Sequence, residues 1–197
     1  GTELALALTF PCAVALMVIA LPLTQVLYQR GAFTTDDATA TALVLAIYGA
    51  GLPAFVLHKV YQPLYYARED SRSPFRFAVV SMIVNAVIAV GLMPYIGFAA
   101  AALATTIAGW MMAAQLWLGT KRMGDAARFD TRFRSRAPRI ILAAIAMGFA
   151  LYAGQVALGE LLASHIWRYA GLALLIGLGI ISYYAAGTAI GAFKLSD

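Results

Sequence analysis

The sequence predicts an all-α membrane protein with six transmembrane helices. Hydrophobic residues make up 62% of its 197 positions and charged residues only 12%, about half the charged share of soluble domains. Apolar stretches of about 20 residues recur along the whole chain, and each is long enough to cross a hydrocarbon core of about 30 Å. These two observations place most of the chain inside a bilayer.

The first two predicted helices differ in how they begin. The first runs from about Leu4 to Leu27 and contains Pro11 and Pro22. The second runs from about Ala38 to Tyr66, after a Thr-Thr-Asp-Asp segment at positions 34–37 whose side chains suit a helix N-cap and first turn.

Four further helices follow with shorter connections. The third covers about Pro74 to Met93, and proline is tolerated in a first turn. A tight turn at positions 94–97 leads to the fourth helix, from about Phe98 to Leu118. The fifth covers about Pro138 to Leu158 and the sixth about Trp167 to Phe193.

Loop charge predicts the orientation of these helices. Three arginines lie between helices two and three, seven basic residues lie between helices four and five, and Lys194 brings the total on this side to eleven. The other side has only Arg30 and Arg168. By the positive-inside rule, both chain ends and both basic loops are cytoplasmic. Because these basic residues sit in short loops between spans, nucleic-acid binding is a poor interpretation.

One lysine lies inside a predicted span. Lys59 is flanked by Gly49, Gly51, Pro53 and Pro63, and such residues bend or break spanning helices near binding sites. A lysine at this depth costs roughly 2.5–3.5 kcal/mol and persists mainly where it faces a polar cavity or partner. We predict that Lys59 faces a cavity for something anionic and that the four flanking residues form a hinge.

Snorkelling is the alternative for Lys59. It lies nine residues before Arg68, about 13 Å along a helix, and a lysine stem recovers part of such a depth. The gap is longer than the stem, which favours the cavity. His58 points about 100° away from Lys59 and is predicted to pack or to contact a neighbouring helix rather than to relay protons.

Four segments resemble the MurJ/MviN family of lipid II flippases. The run 27–34 (Leu-Tyr-Gln-Arg-Gly-Ala-Phe-Thr), Lys59-Val60 and the turn 66–74 (Tyr-Ala-Arg-Glu-Asp-Ser-Arg-Ser-Pro) are similar to the family's glycine-bearing loop, Lys-Val helix and Tyr-Ala/Ser-Arg-x-Asp-x-x-x-Pro turn. Residues 97–106 resemble its Gly-x-Ala-Leu-Ala-Thr helix start. The similarity covers nearly the whole chain and is most specific over residues 27–76.

The resemblance implies an architecture and a function. The chain would be the C-terminal part, from the ninth helix onward, of a fourteen-helix transporter of the inner membrane whose two lobes flank a cationic cavity. Residues 1–120 would complete the second lobe, 121–139 would be a basic cytoplasmic loop, and 140–197 would be a helix pair forming a groove for the lipid tail. The substrate would be lipid II, an undecaprenyl-pyrophosphate-linked precursor, moved by alternating access. Lys59 and Arg68 are the predicted substrate-binding residues, and the other partners are membrane lipids and the missing N-terminal part.

A cation site is a weaker implication of the same resemblance. Some family members bind sodium through an Asn, an Asp one turn later and a Thr on the next helix. Asn85 and Thr105 match this pattern, but Ala89 occupies the Asp position. Since a hard cation prefers several oxygen ligands including carboxylates, we expect either no cofactor or a monovalent cation here.

Other functions are less well supported by the residues. A cation-coupled exporter of small molecules or polysaccharide lipids would need a membrane-embedded carboxylate, and the predicted spans contain none. A non-transporting membrane scaffold would have no need of a lysine inside a span. No catalytic motif, metal-ligand spacing or nucleotide loop is present, so no enzyme activity is predicted.

Cys12 is the single cysteine, which excludes an internal disulfide. Because Gly1 begins the chain and no signal sequence precedes the first apolar stretch, we expect a piece of a longer protein.

The charge bias makes the topology testable. Single cysteines placed at Ser71 and Thr34 should be labelled by a membrane-impermeant reagent from opposite sides of the membrane, with Ser71 on the cytoplasmic side. Labelling of both positions from the same side would contradict this topology.

Overall fold

A computed structural model describes residues 2–121, 131–164 and 166–191, with side chains from residue 5 and, in the second range, from residue 136. Its helices are α1 (Thr2–Val18), α2 (Ala20–Tyr28), α3 (Thr35–Tyr66), α4 (Arg72–Ile96), α5 (Ala99–Thr120), α6 (Thr131–Ala157), α7 (Gly159–Ala163) and α8 (Arg168–Ala189). Five of them are long and apolar enough to cross a membrane, and a sixth span results if the bent pair of α1 and α2 counts as one. The prediction of an all-helical membrane fold is confirmed.

The first span is broken, so the prediction of one helix over residues 4–27 is wrong. Two helices meet at Ile19 with a bend of 72°. Ile19 ends α1 by donating to the Ala15 carbonyl (2.8 Å) and starts α2 by accepting from the Leu23 amide (3.0 Å). Pro22 explains the position, because its ring clashes with the carbonyl of the residue four before it, Val18, and offers that carbonyl no amide.

The helix α3 is continuous over 32 residues, and its start is capped as the sequence predicts. The Thr34 hydroxyl accepts from the Asp37 amide (3.3 Å), and the Asp37 carboxylate accepts from the Thr34 amide (2.9 Å). This reciprocal capping box satisfies two amides that the first helical turn leaves unpaired.

The predicted turn at residues 94–97 is nearly absent, which corrects the sequence prediction. The helix α4 continues through Pro94 to Ile96, because the proline withholds only the amide opposite the Val90 carbonyl and the Gly97 amide still donates to the Met93 carbonyl. The chain reverses at Gly97, whose φ of 56° lies in the left-handed region that glycine adopts without strain.

The C-terminal helices begin and end at residues different from those that the sequence predicts. The helix α6 begins at Thr131, inside the segment 121–139 that the sequence predicts to be a loop, and passes through Pro138. Arginine and alanine there are good helix formers. The short α7 was not predicted. The helix α8 ends at Ala189, ahead of Gly191 with a φ of 71°, and the predicted end at Phe193 lies outside the described residues.

The helix α1 connects the two parts of the bundle. It contacts both α3 and α6, while α5 packs against α3 and α4, and α6 pairs with α8. The largest buried cluster among the described residues joins α6 and α8 to the break in the first span and consists of Ile19, Ala143, Ala144, Met147, Leu151, Leu175 and Tyr183. The C-terminal pair is therefore attached to the remaining helices mainly through α1, with a smaller contact between α2 and α8.

A hydrogen bond between α8 and α1 accompanies this packing. Pro11 has no amide, so the carbonyl of Ala7 lacks its usual partner within the helix. The hydroxyl of Tyr183, a buried residue of α8, donates to that carbonyl at 2.6 Å. The bond supplies a donor to a backbone group that hydrocarbon would leave unsatisfied.

We expect Tyr183→Phe to lower the free energy of unfolding by about 1 kcal/mol, because it leaves the Ala7 carbonyl without a donor. In a Pro11→Ala background the restored amide of residue 11 can bond Ala7, so the same substitution should cost clearly less. Unfolding in detergent measures both values, and Tyr152→Phe, on an exposed tyrosine of α6, is the control. Equal costs of Tyr183→Phe in both backgrounds would contradict this account.

Candidate functional site

The packed face of α3 is formed by small and aromatic residues. A Cβ added at Gly49 would lie 3.1 Å from Leu16 Cβ and 3.2 Å from the Ala13 carbonyl oxygen of α1. A Cβ at Gly51 would lie 3.1 Å from the hydroxyl of Thr106 on α5. Both glycines are buried and let neighbouring backbones approach closely. Gly49 and Gly51 therefore serve the packing of α3 against α1 and α5.

Lys59 lies on the other, uncovered face of α3. Tyr48, Lys59, Pro63 and Tyr66 are all exposed, and their spacing of 11, 4 and 3 residues places them within about 60° of one another around the helix. Within the described part of the chain, the Lys59 ammonium has no ion pair or hydrogen bond. We call these four residues the lysine face of α3.

Two prolines weaken the backbone of α3 without breaking it. Pro53 offers no amide to the Gly49 carbonyl, and Pro63 offers none to the carbonyl of Lys59 itself. The helix nevertheless continues through both positions to Tyr66. The prediction of a hinge at Gly49, Gly51, Pro53 and Pro63 remains a prediction, and the one break among the described spans lies at Ile19.

Arg68 lies in a hydrogen-bonded turn just beyond α3. Glu69 has a φ of 58°, and the Asp70 amide donates back to the Tyr65 carbonyl at 3.1 Å. The Asp70 carboxylate accepts from the Ser73 amide at 3.0 Å, and hydrogen bonds from Ser73 hold the pKa of Asp70 below its usual value. The turn therefore keeps an ionised carboxylate two residues from Arg68, at the end of the same helix that holds Lys59.

Asn85 and Thr105 come together as the resemblance implies. The Asn85 amide nitrogen donates to the Thr105 hydroxyl at 3.3 Å, and that hydroxyl donates to the Ala101 carbonyl at 2.8 Å. This is an interhelical hydrogen bond between α4 and α5. The pair offers neutral oxygens, and Ala89 offers none from its side chain, so these residues fit a hard cation poorly. We assign no step to a cation.

His58 contacts a neighbouring helix, which confirms the sequence prediction. Its Nε2 lies 2.7 Å from the Gly109 carbonyl oxygen of α5, and since a carbonyl only accepts, Nε2 is the donor. The ring also meets Phe55 edge-on with centroids 6.0 Å apart. His58 thereby fixes α3 against α5 and holds the lysine face away from α5.

An apolar groove lies between α1, α6 and α8. Its volume is about 410 Å³. It is lined mainly by aliphatic and small side chains, among them Leu8, Ala15, Met147, Leu151, Ile176 and Ile180, with Tyr183 and Tyr184 at one side. Such a lining accepts hydrocarbon rather than a polar headgroup.

The sequence analysis did not predict that α1 lines this groove, nor that a hydrogen bond from Tyr183 joins α8 to α1. Pro11 was visible as a proline within a span, and the missing amide opposite Ala7 follows from its chemistry. The donor, Tyr183, is 176 residues away from Ala7, and no local pattern in the sequence identifies it.

Comparisons with known proteins agree with one another. The model of the family described as lipid II flippase MurJ matches residues 1–177. The chain is 38% identical to the probable lipid II flippase MurJ of Rhizobium meliloti, over 100% of the chain and 37% of that protein. It is 32% identical to the lipid II flippase MurJ of Burkholderia cenocepacia, over 63% of the chain and 24% of that protein.

A solved structure has the same fold. It is a lipid II flippase MurJ in an inward closed conformation, with a TM-score of 0.78 and 25% sequence identity, over 95% of this chain and 37% of that one. The chain thus spans little more than a third of the Rhizobium meliloti protein and of the solved structure, and its match covers about a quarter of the Burkholderia cenocepacia protein.

Proposed function

The chain belongs to the family of the lipid II flippase MurJ, and we propose that it is the C-terminal part of a transporter that moves lipid II across the bacterial inner membrane by alternating access. It is a multi-pass membrane protein. The names of the relatives favour lipid II over a small-molecule or polysaccharide-lipid substrate. The charge bias of the loops supports a cytoplasmic location for both chain ends.

The lysine face of α3 is the observation that carries this proposal. A cation inside a span requires an anionic partner or water, and the described helices leave Lys59 exposed without providing a partner. The pyrophosphate of lipid II carries the complementary charge, and charge-assisted hydrogen bonds to phosphate oxygens are stronger than neutral ones. In this proposal Lys59 binds the pyrophosphate within the membrane.

Arg68 extends the same site to the cytoplasmic end of α3. It follows Lys59 by nine residues, about 13 Å along a helix. A headgroup that enters from the cytoplasm would meet Arg68 first and Lys59 second. The turn around Asp70 supports this order, because its hydrogen bonds to Tyr65 and Ser73 place the Arg68 backbone at the end of α3.

The apolar groove between α1, α6 and α8 suits the other end of the substrate. An undecaprenyl chain is pure hydrocarbon, and the groove offers an apolar lining within the membrane. The proposal therefore separates two binding tasks: α3 binds the charged headgroup, and the C-terminal pair with α1 receives the tail. The packing of α1 against both α3 and α6 supports this division, because it connects the two binding regions within one bundle.

The prolines of α3 provide a means of movement. Since Pro53 and Pro63 each remove one backbone hydrogen bond, bending α3 at these positions costs less than bending an unbroken helix. A bend between Gly49 and Pro63 would move Lys59 relative to the capped start of α3. We propose this as the local movement that accompanies alternating access.

We expect Lys59→Ala and Lys59→Glu in the full-length protein to abolish growth in cells depleted of the native flippase, while Lys59→Arg retains part of the activity. Alanine removes the charge that binds the pyrophosphate, glutamate repels it, and arginine keeps it on a different stem. Complementation measures the result, with membrane insertion checked by immunoblot of the membrane fraction.

Lys121→Ala is the matched control, because Lys121 is an exposed cation beyond the end of α5 that lies 3.8 Å from the centre of the Trp117 ring. It should support normal growth. Full growth from a correctly inserted Lys59→Ala protein would show that Lys59 only snorkels to the interface, and the proposed headgroup site would be lost.

A further inference from the structure

A second basic site lies far from the lysine face. A pocket of about 370 Å³ opens between α2, α7 and α8 and is lined by Gln25, Val26, Gln29, Leu162, Ala163 and Arg168. Two side-chain amides and a guanidinium thus surround a small apolar floor. By the proposed topology, this pocket is at the extracytoplasmic end of the bundle, opposite the basic loops.

The guanidinium of Arg168 is poorly satisfied in this pocket. Its two Nη atoms form only long hydrogen bonds, 3.4 Å to the Gln29 carbonyl and 3.4 Å to the Tyr169 hydroxyl, beyond the usual range for such bonds. Its Nε is buried and has no hydrogen-bond partner among the described residues. An arginine has five N–H donors, so most of its donor capacity is unused.

The neighbouring groups do not neutralise this charge. Within the described residues, no carboxylate pairs with Arg168. Glu160 on α7 is exposed and does not line the pocket. The Gln29 amide is already engaged, because its Nε2 donates to the Thr35 hydroxyl at 2.8 Å. A partly buried charge without a counterion is unfavourable, and the adjacent pocket gives an anion room to enter.

We propose that this pocket binds a phosphate group on the extracytoplasmic side, with Arg168 as the main ligand and Gln25 as a second donor. The planar fork of arginine matches two oxygens of a phosphate, and the Gln25 amide adds an uncharged donor to the same space. The apolar floor tolerates the carbon substituent of a phosphodiester. The phosphate is that of a phospholipid headgroup or a free phosphate or pyrophosphate ion.

The site goes beyond the proposed flipping of lipid II and does not require it. Only its sidedness depends on the proposed topology, and binding is measured without transport. A failure of this site therefore leaves the role of Lys59 untouched, and a loss of the Lys59 site leaves phosphate binding at Arg168 measurable.

The test uses the full-length protein purified in an uncharged detergent. One arm titrates inorganic phosphate and pyrophosphate, and the other titrates short-chain phosphatidylglycerol, with binding followed by thermophoresis. We expect saturable binding in at least one arm and a Kd at least about tenfold weaker in Arg168→Gln, the usual effect of losing a charged hydrogen bond. Binding in the lipid arm alone identifies a headgroup, and binding in the salt arm identifies a free ion as a ligand.

Arg30→Gln is the matched control, since it removes the other basic residue on the same side from an exposed position outside the pocket. It should leave the Kd within about twofold of wild type, because exposed charges beyond the pocket are screened by salt. No binding in either arm, or equal weakening in Arg30→Gln and Arg168→Gln, would overturn the proposal. If Arg168→Gln fails to fold, Arg168→Lys and Gln25→Leu decide, and wild-type affinity in both overturns it.

Discussion

Backbone hydrogen bonding in hydrocarbon is the constraint on which the rest of this structure depends. Water is absent from the bilayer core, so each carbonyl that a helix leaves without a partner needs a donor from elsewhere in the protein. Tyr183 of α8 donates to the Ala7 carbonyl of α1, which Pro11 leaves without an amide. Tyr65, Ser81, Thr106 and Trp110 donate to carbonyls of neighbouring helices that no proline deprives of an amide, so these bonds add a second donor and join the helices. Neutral side chains thus fix the helices without buried ion pairs among the described residues.

These interhelical contacts determine which face of α3 carries its charged residue, Lys59. His58, Tyr65 and the small residues of α3 are used for contacts with α1 and α5, which leaves the opposite face with Lys59 uncovered. The cation therefore lies on a helix held rigidly on one side and weakened by Pro53 and Pro63 along its length. In the proposed function, such a site binds an anionic headgroup and still moves, because its packing contacts and its charged group lie on different faces.

The sequence predicts the type of each span well and their irregularities poorly. Capping residues locate the start of α3, and hydrophobic length locates α5, to within a few residues, since both signals are local. The break at Ile19 was missed, although Pro22 is visible, because Pro11, Pro53 and Pro94 also lie within spans and leave their helices unbroken. The position of Lys59 inside a span can be predicted from the sequence alone, and the contact of Asn85 with Thr105 from the family pattern, while a binding role for these residues stays a prediction. The groove and the Arg168 pocket depend on contacts between distant helices, which local patterns do not encode.

Photo-crosslinking tests the central claim, that the lysine face of α3 meets the headgroup of lipid II. Tyr66 and Tyr95 are both exposed tyrosines at helix ends, on the lysine face and at the far end of α4 respectively. Each is replaced by benzoylphenylalanine in the full-length protein, and membranes containing headgroup-labelled lipid II are irradiated. Our account predicts a labelled product from position 66 that Lys59→Ala reduces, and little product from position 95. Equal labelling at both positions, or labelling at 66 that is indifferent to Lys59→Ala, would contradict it.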